Sequence, residues 1–190
     1  MDIPKNVSIF IIEGIPGSGK STLHKDLISK LKGRIIYDFE EEELLFSWKH
    51  AWIEGIQDLR LEFMNKMLDY CEKVIKENSA SVFIFNRFHV SLVILSTAIN
   101  QEHPKGYDAL IKRLREMPVH IFVPVLEPEN IHQRSSHKER TEKIWELHKK
   151  KRLETRGFSN LKDMYVWEQN KIFELLKSQK IPYSTLKIVV

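Results

Sequence analysis

The chain has 190 residues and a mass of 22.5 kDa, with 42% hydrophobic and 29% charged residues and no Pro/Gly/Ser-rich or low-complexity tract dividing it. Such a length can bury roughly 70% of the unfolded surface, which excludes a disordered chain or a disulfide-dependent mini-protein and favours one domain over residues 1–190. Its charge of +4 is uneven: residues 1–126 carry −1, residues 127–158 carry +3 and residues 159–190 carry +2, an excess that suits a focused anionic ligand as well as a polyanion.

Short apolar runs alternate with helical patterns along the chain, the signature of a parallel sheet covered by crossover helices. Ser8–Glu13 reads as the first strand, followed by a helix over Lys20–Leu31 and a second strand over Arg34–Asp38. Helices are expected over Glu41–Ile53 and Asp58–Glu77, then a third strand over Ser81–Asn86. Helices over Val90–Asn100 and Tyr107–Met117 lead to a fourth strand, Val119–Val125. A long polar helix is expected within Pro128–Thr155, then a helix over Asn160–Gln179 and a closing strand near Tyr183–Val189.

In the Asp58–Glu77 helix, Leu59, Phe63, Met67, Cys71, Val74 and Ile75 recur at three- and four-residue spacing and define the face expected to be buried. Cys71 is the only cysteine, so an intrachain disulfide and a multi-cysteine metal site are both excluded, and its place in the stripe marks it as a small core residue. No apolar run approaches the 18 or so residues of a membrane span, and the expected setting is a reducing cytoplasm.

Between the first strand and first helix stands Gly14-Ile15-Pro16-Gly17-Ser18-Gly19-Lys20-Ser21-Thr22, which fits G-x-x-x-x-G-K-[ST] at every fixed position. Glycines let successive backbone N–H groups turn inward around an anion, and the following helix adds its positive end. Lys20 is placed to reach β- and γ-phosphates, and the Ser21 hydroxyl to join the coordination sphere of Mg²⁺. The motif indicates a nucleoside-triphosphate site and leaves the reaction open.

The third strand ends in Asn86-Arg87-Phe88-His89-Val90-Ser91. Here the chain resembles the thymidylate kinase-like group of P-loop nucleoside and nucleotide kinases, which carry a D-R-[YFH]-x-x-S type segment at this place. Arg87, Phe88 and Ser91 match its arginine, aromatic and serine. Leu126-Glu127-Pro128-Glu129 followed by Arg134 resembles the segment leading to the first lid arginine, and Glu139-Arg140 the later acidic-arginine pair. The resemblance implies an α/β P-loop fold with a five-stranded parallel sheet, the third strand beside the first, helices on both faces and a helical lid over approximately residues 127–158. It also implies ATP and Mg²⁺ at the phosphate loop, a small-molecule acceptor at the carboxyl ends of the strands, and arginines closing over the transferring group.

Two departures qualify the resemblance. The aspartate that many thymidylate kinases carry inside the phosphate loop is missing from Ile15-Pro16-Gly17-Ser18, which weakens thymidine monophosphate as the acceptor. The aspartate before the arginine is Asn86, which can accept a hydrogen bond from a metal-bound water but adds no charge. Two strand-end carboxylates could compensate, Asp38 and Glu13, and Asp38 is the favoured orienting acceptor or general base for an acceptor hydroxyl, as in deoxynucleoside kinases.

Lys20, Asp38, Arg87, Arg134 and Arg140 are thus the candidate catalytic residues, and Gly14, Gly17, Ser18, Gly19, Lys20, Ser21 and Thr22 the candidate nucleotide-binding ones. Trp48, His50 and Trp52 fall where the family builds its acceptor pocket, although core packing accounts for each taken alone. Lys149-Lys150-Lys151-Arg152 reads as solvated surface, and among the histidines only His89 lies within a site segment.

The leading expectation is an ATP-dependent kinase for a nucleoside or nucleoside monophosphate. Alternatives are a kinase for an antibiotic or sugar, a nucleotide-binding regulatory module in which Asn86 marks lost catalysis, and a polynucleotide-end kinase. One kinase domain accounts for all 190 residues, so neither nucleic acid nor a membrane is expected as partner; a homodimer is left open.

Overall fold

A computed structural model describes residues 2–39, 53–98, 104–135 and 143–188, with side chains described for all of these except 98, 132–135 and 143–149. Five strands, β1 (Ile9–Ile12), β2 (Ile35–Phe39), β3 (Ser81–Asn86), β4 (Val119–Val125) and β5 (Tyr183–Lys187), form one sheet in the order β2-β3-β1-β4-β5, and every adjacent pair is parallel. The third strand lies beside the first, as the resemblance implies, with Ile12 level with Asn86 and Phe122.

β1 and most of β3 and β4 are buried on both sides, which is why they read as unbroken apolar runs. One face packs on α1 (Lys20–Lys30), where Leu23, Leu27 and Leu31 meet Phe10, Ile12, Val82, Ile84 and Phe122. The other face carries the larger core, with side chains from α2 (Ile56–Glu77), α3 (His89–Ala98), α4 (Tyr107–Glu116) and α7 (Leu161–Gln179). Helices therefore cover both faces, the arrangement that parallel strands require. On the larger face Tyr37 stacks on Phe83 with centroids 4.8 Å apart, Phe39 on Phe85 at 5.2 Å and Phe85 against Phe88 at 4.8 Å. This aromatic column runs up β2 and β3 to the chain turn at Arg87.

Asn160 caps α7, its side-chain oxygen accepting the Asp163 N–H at 3.0 Å. The polar stretch expected to be one long helix contains two described helical segments, α5 (Pro128–Ser135) and α6 (Lys143–Arg156). The helix expected over Glu41–Ile53 lies outside the described residues up to Trp52.

The expected stripe of α2 is buried over its C-terminal half, where Met67 and Cys71 lie in the core and Val74 and Ile75 pack against it, and departs from the core only in the first turns. Leu59 is 61% and Phe63 40% exposed, while Gln57, Arg60, Leu61, Met64, Met67, Leu68 and Cys71 face inward. The second set has the same three- and four-residue spacing, and it packs against the core because Leu61, Met64 and Leu68 outweigh the two polar residues at its top. Cys71 is fully buried as expected, and desolvation pushes its thiol up to about 12.

Arg152, placed by sequence on a solvated basic face, is instead 3% exposed. It and Arg156 both donate to the buried Glu168 carboxylate, and Arg156 also donates to the Ile94 carbonyl at 2.6 Å and lies 4.7 Å over the Trp167 ring. Burial opposes ionisation of Glu168, but the two guanidiniums outweigh it and hold its carboxyl below the usual range. This cluster ties α6 to α7 and α3.

Candidate nucleotide site

The loop after β1 turns on glycines at two points that disfavour a side chain, Gly14 for want of space and Gly19 for its backbone angle. Gly14 has φ 154°, and a Cβ there would come within 2.8 Å of Ser18 Oγ and 3.4 Å of the Pro124 carbonyl. Gly19 has φ 89° in the left-handed region and is the N-cap of α1, packed below Ile188. No side chain caps α1 and no acid stands in its first turn, so its leading N–H groups and positive end remain turned toward the loop.

Lys20 is buried and folds across the loop, its Nζ donating to the Gly14 carbonyl at 3.1 Å and the Ile15 carbonyl at 2.9 Å. The Ser18 hydroxyl is buried without a hydrogen-bond partner among the described residues, while Ser21 and Thr22 stand exposed on the first turn. The loop thus carries a buried lysine, several hydroxyls and an uncapped helix start, a donor set of the kind that fits a polyphosphate.

Above the adjacent strand the Asn86 Oδ1 atom is buried and has no hydrogen-bond partner among the described residues. An unsatisfied buried acceptor at the end of the strand beside β1, together with the exposed Ser21 hydroxyl of the loop, is a donor set that would suit a hydrated Mg²⁺. Among the described residues there is no cluster of three His, Cys, Asp or Glu side chains able to hold a metal by themselves.

Arg87 follows with φ 75°, a left-handed conformation that costs a non-glycine residue about 1–2 kcal/mol. Its N–H donates to the Ile12 carbonyl at 2.9 Å, and its Nη1 lies 3.5 Å from both the Gly14 carbonyl and Ser91 Oγ. The guanidinium is thereby aimed at the mouth of the phosphate loop. The matched arginine is thus brought to the loop, and Phe88 is wholly buried at the Arg87 end of the aromatic column.

The two strand-end carboxylates go elsewhere. Asp38 shares with Ile36 the face of β2 that meets α1, where its Oδ1 lies 2.6 Å from His24 Nε2. Among the described residues it shares no hydrogen bond or ion pair with Arg87. Glu13 is fully buried; its Oε1 accepts the Phe88 N–H at 2.8 Å and the Ser91 N–H at 3.3 Å, and its Oε2 accepts the Ser91 hydroxyl at 2.5 Å. Desolvation raises its carboxyl above the ordinary value, against these hydrogen bonds and the nearby Arg87 charge.

His89 is fully enclosed, with Nε2 2.9 Å from Gln179 Oε1, and Gln179 donates in turn to Tyr107 Oη at 2.8 Å. Burial lowers its imidazole to about 4, so it is a neutral packing element and not a ligand to the site. Arg134 lies on α5 without a described side chain, and Arg140, Trp48, His50 and Trp52 lie outside the described residues.

Sequence reasoning passed over Gln57 and Arg60. Because α2 carries the chain from the top of β2 to the start of β3, its first turn stands at the carboxyl end of the sheet, and both side chains are buried there. Gln57 Nε2 has no hydrogen-bond partner among the described residues, and desolvation lowers the Arg60 guanidinium to about 10. The available signal was two polar residues on the Leu61–Met64–Leu68 face, which periodicity assigns to solvent.

No curated protein matches the sequence. Among solved structures the chain is similar to thymidylate kinase from Candida albicans, at 16% identity over 92% of this chain and 93% of that one, with a TM-score of 0.46. It is also similar to deoxyadenosine kinase from M. mycoides with bound dATP, at 17% identity over 94% and 90% of the two chains and a TM-score of 0.48. Thymidylate kinase from Ehrlichia chaffeensis aligns at 14% identity over 97% and 89%, with a TM-score of 0.46. The profile of one family, described as the KAP family P-loop domain, matches residues 2–179. That match runs from ahead of β1 to the last residue of α7 and takes in the phosphate loop and four of the five strands, so the chain belongs to the KAP family of P-loop domains.

Proposed function

We propose that the chain is an ATP-dependent phosphotransferase for a small-molecule acceptor, a nucleoside or nucleoside monophosphate. The observation that carries this reading is the Arg87 guanidinium, held in a left-handed turn against the Gly14 carbonyl at the mouth of a complete phosphate loop. Phosphoryl transfer depends on alignment and on cations placed where charge gathers on the equatorial oxygens. Lys20 supplies one such cation from within the loop and Arg87 a second from the acceptor side, with Arg134 and Arg140 of the 127–158 segment assigned to close over the transferring group.

Mg²⁺, if bound, would supply positive charge that offsets part of the charge of the triphosphate. Ser21 Oγ and Asn86 Oδ1 are the groups assigned to hold it, the latter through a water. Asp38, with its Oδ1 held by His24, is assigned to orient an acceptor hydroxyl.

The test is ADP release with ATP-Mg²⁺ across a panel of nucleosides and monophosphates. Release that depends on one class of acceptor supports the reading, and release that is equal with and without every acceptor overturns it.

A second reading draws on Asn86, whose uncharged side chain stands where the resembled kinases carry an aspartate. Under it the chain is a nucleotide-binding module that holds ATP with negligible turnover, and Asn86→Asp leaves turnover negligible.

A further inference from the structure

Glu13 is the last residue before the phosphate loop, and it makes more hydrogen bonds to the Arg87 segment than to its own loop. Its backbone N–H donates across the sheet to the Phe122 carbonyl at 3.0 Å, which anchors it to β4. Its carboxylate then reaches over the top of β3 and takes Phe88 N–H, Ser91 N–H and Ser91 O–H together. Those donors lie on the C-terminal side of Arg87, and the Ile12 carbonyl holds the Arg87 N–H itself. Every fixed point of the left-handed turn is thus supplied by Ile12, Glu13 and Gly14, three consecutive residues entering the loop.

The carboxylate also stands at the start of α3, whose positive end favours an acceptor there, and full enclosure keeps water from competing for the same N–H groups. The Ser91 hydroxyl donates a hydrogen bond to Glu13 and its Oγ lies 3.5 Å from Arg87 Nη1, so Glu13, Ser91 and Arg87 form one continuous chain from strand end to guanidinium.

We propose that Glu13 is a positioning residue that locks the Arg87 turn to the phosphate loop, so that the arginine facing the acceptor is preset by the element that holds the triphosphate. This rests on the kinase reading above. Glu13 itself, enclosed and with all its oxygens engaged, neither touches the acceptor nor moves its proton; it acts through Arg87.

The full-length chain carrying Glu13→Ala, alone and combined with Arg87→Ala, tests the assignment. Glu13→Ala is expected to lower the acceptor-dependent kcat at least tenfold with the ATP Kd within threefold of the unsubstituted chain. In the Arg87→Ala background the same change is expected to lower kcat less than twofold, because both substitutions remove one unit. Amide hydrogen exchange at Phe88 and Ser91 is expected to accelerate in Glu13→Ala and to return toward the original rate in Glu13→Gln, which keeps an accepting oxygen. Where Glu13→Ala fails to fold, Ser91→Ala makes the same comparison in both backgrounds.

An equal loss of kcat in both backgrounds overturns the proposal, as do unchanged kcat and unchanged exchange. If the unsubstituted chain shows no acceptor-dependent turnover, the kinase reading falls. Exchange at Phe88 and Ser91 then decides alone whether Glu13 holds the turn.

Discussion

Arg87 Nη1 lies 3.5 Å from the carbonyl oxygen of Gly14, although the two residues are 73 positions apart. The contact joins the end of β3 to the entrance of the phosphate loop, and the parallel β1–β3 pairing, with Asn86 level with Ile12, puts them within reach. An arginine in this place can serve a transferring phosphoryl group without disturbing the loop that holds the rest of the triphosphate.

Arg87→Ala is accordingly expected to lower acceptor-dependent turnover at least a hundredfold and to leave ATP affinity nearly intact; arginines of this kind are worth about 10³–10⁵ in rate where they act fully. Steady-state kinetics beside equilibrium nucleotide binding separates the two effects. Unchanged acceptor kinetics removes Arg87 from the mechanism.

Asp38→Asn addresses the carboxylate bonded to His24. If Asp38 orients the acceptor, the substitution lowers the acceptor-dependent rate more than ATP affinity. If it only fixes β2 to α1, kcat is retained, and thermal denaturation shows a loss of stability shared by His24→Ala.

The enclosed His89 makes stability depend on pH. Its imidazole titrates near 4 in the fold against about 6.5 unfolded, so the unfolded chain binds the extra proton first. The stabilisation is complete above about 6.5 and is lost as pH falls through the window down to 4, on the order of 3 kcal/mol from this group alone. Chemical denaturation between pH 7 and 4 should show the loss, and His89→Gln should flatten it; an unchanged slope in that variant assigns the loss to other groups.

The Arg152–Glu168–Arg156 cluster is buried on all three sides. Glu168→Ala leaves two guanidiniums without their shared carboxylate and is expected to cost roughly 3–5 kcal/mol, read from the midpoint of denaturation. A change below about 1 kcal/mol would show that the pairs behave as exposed ones do.

Much of the frame was legible because it is local. Ser81–Asn86 and Val119–Val125 form strands with the bounds read from sequence, since each is an apolar run closed by turn residues or charge. The phosphate loop carries its own constraint in the glycine at position 14, where a Cβ would strike Ser18. What could not be read is set by partners distant in sequence. Arg152 looks solvated beside three lysines until Glu168 folds against it. His89 looks like a site residue until Gln179, 90 positions on, takes its Nε2. Likewise Leu59 and Phe63 compete with Leu61, Met64 and Leu68 for the inner face of α2, and only the shape of the core decides between two stripes of equal period.

The most direct test of the central claim follows the label from γ-labelled ATP with Mg²⁺ and a nucleoside or nucleoside monophosphate acceptor. Label is expected in the phosphorylated acceptor, and Lys20→Ala is expected to abolish the transfer. Label that remains in ATP, or is released only as inorganic phosphate with every acceptor, contradicts that claim.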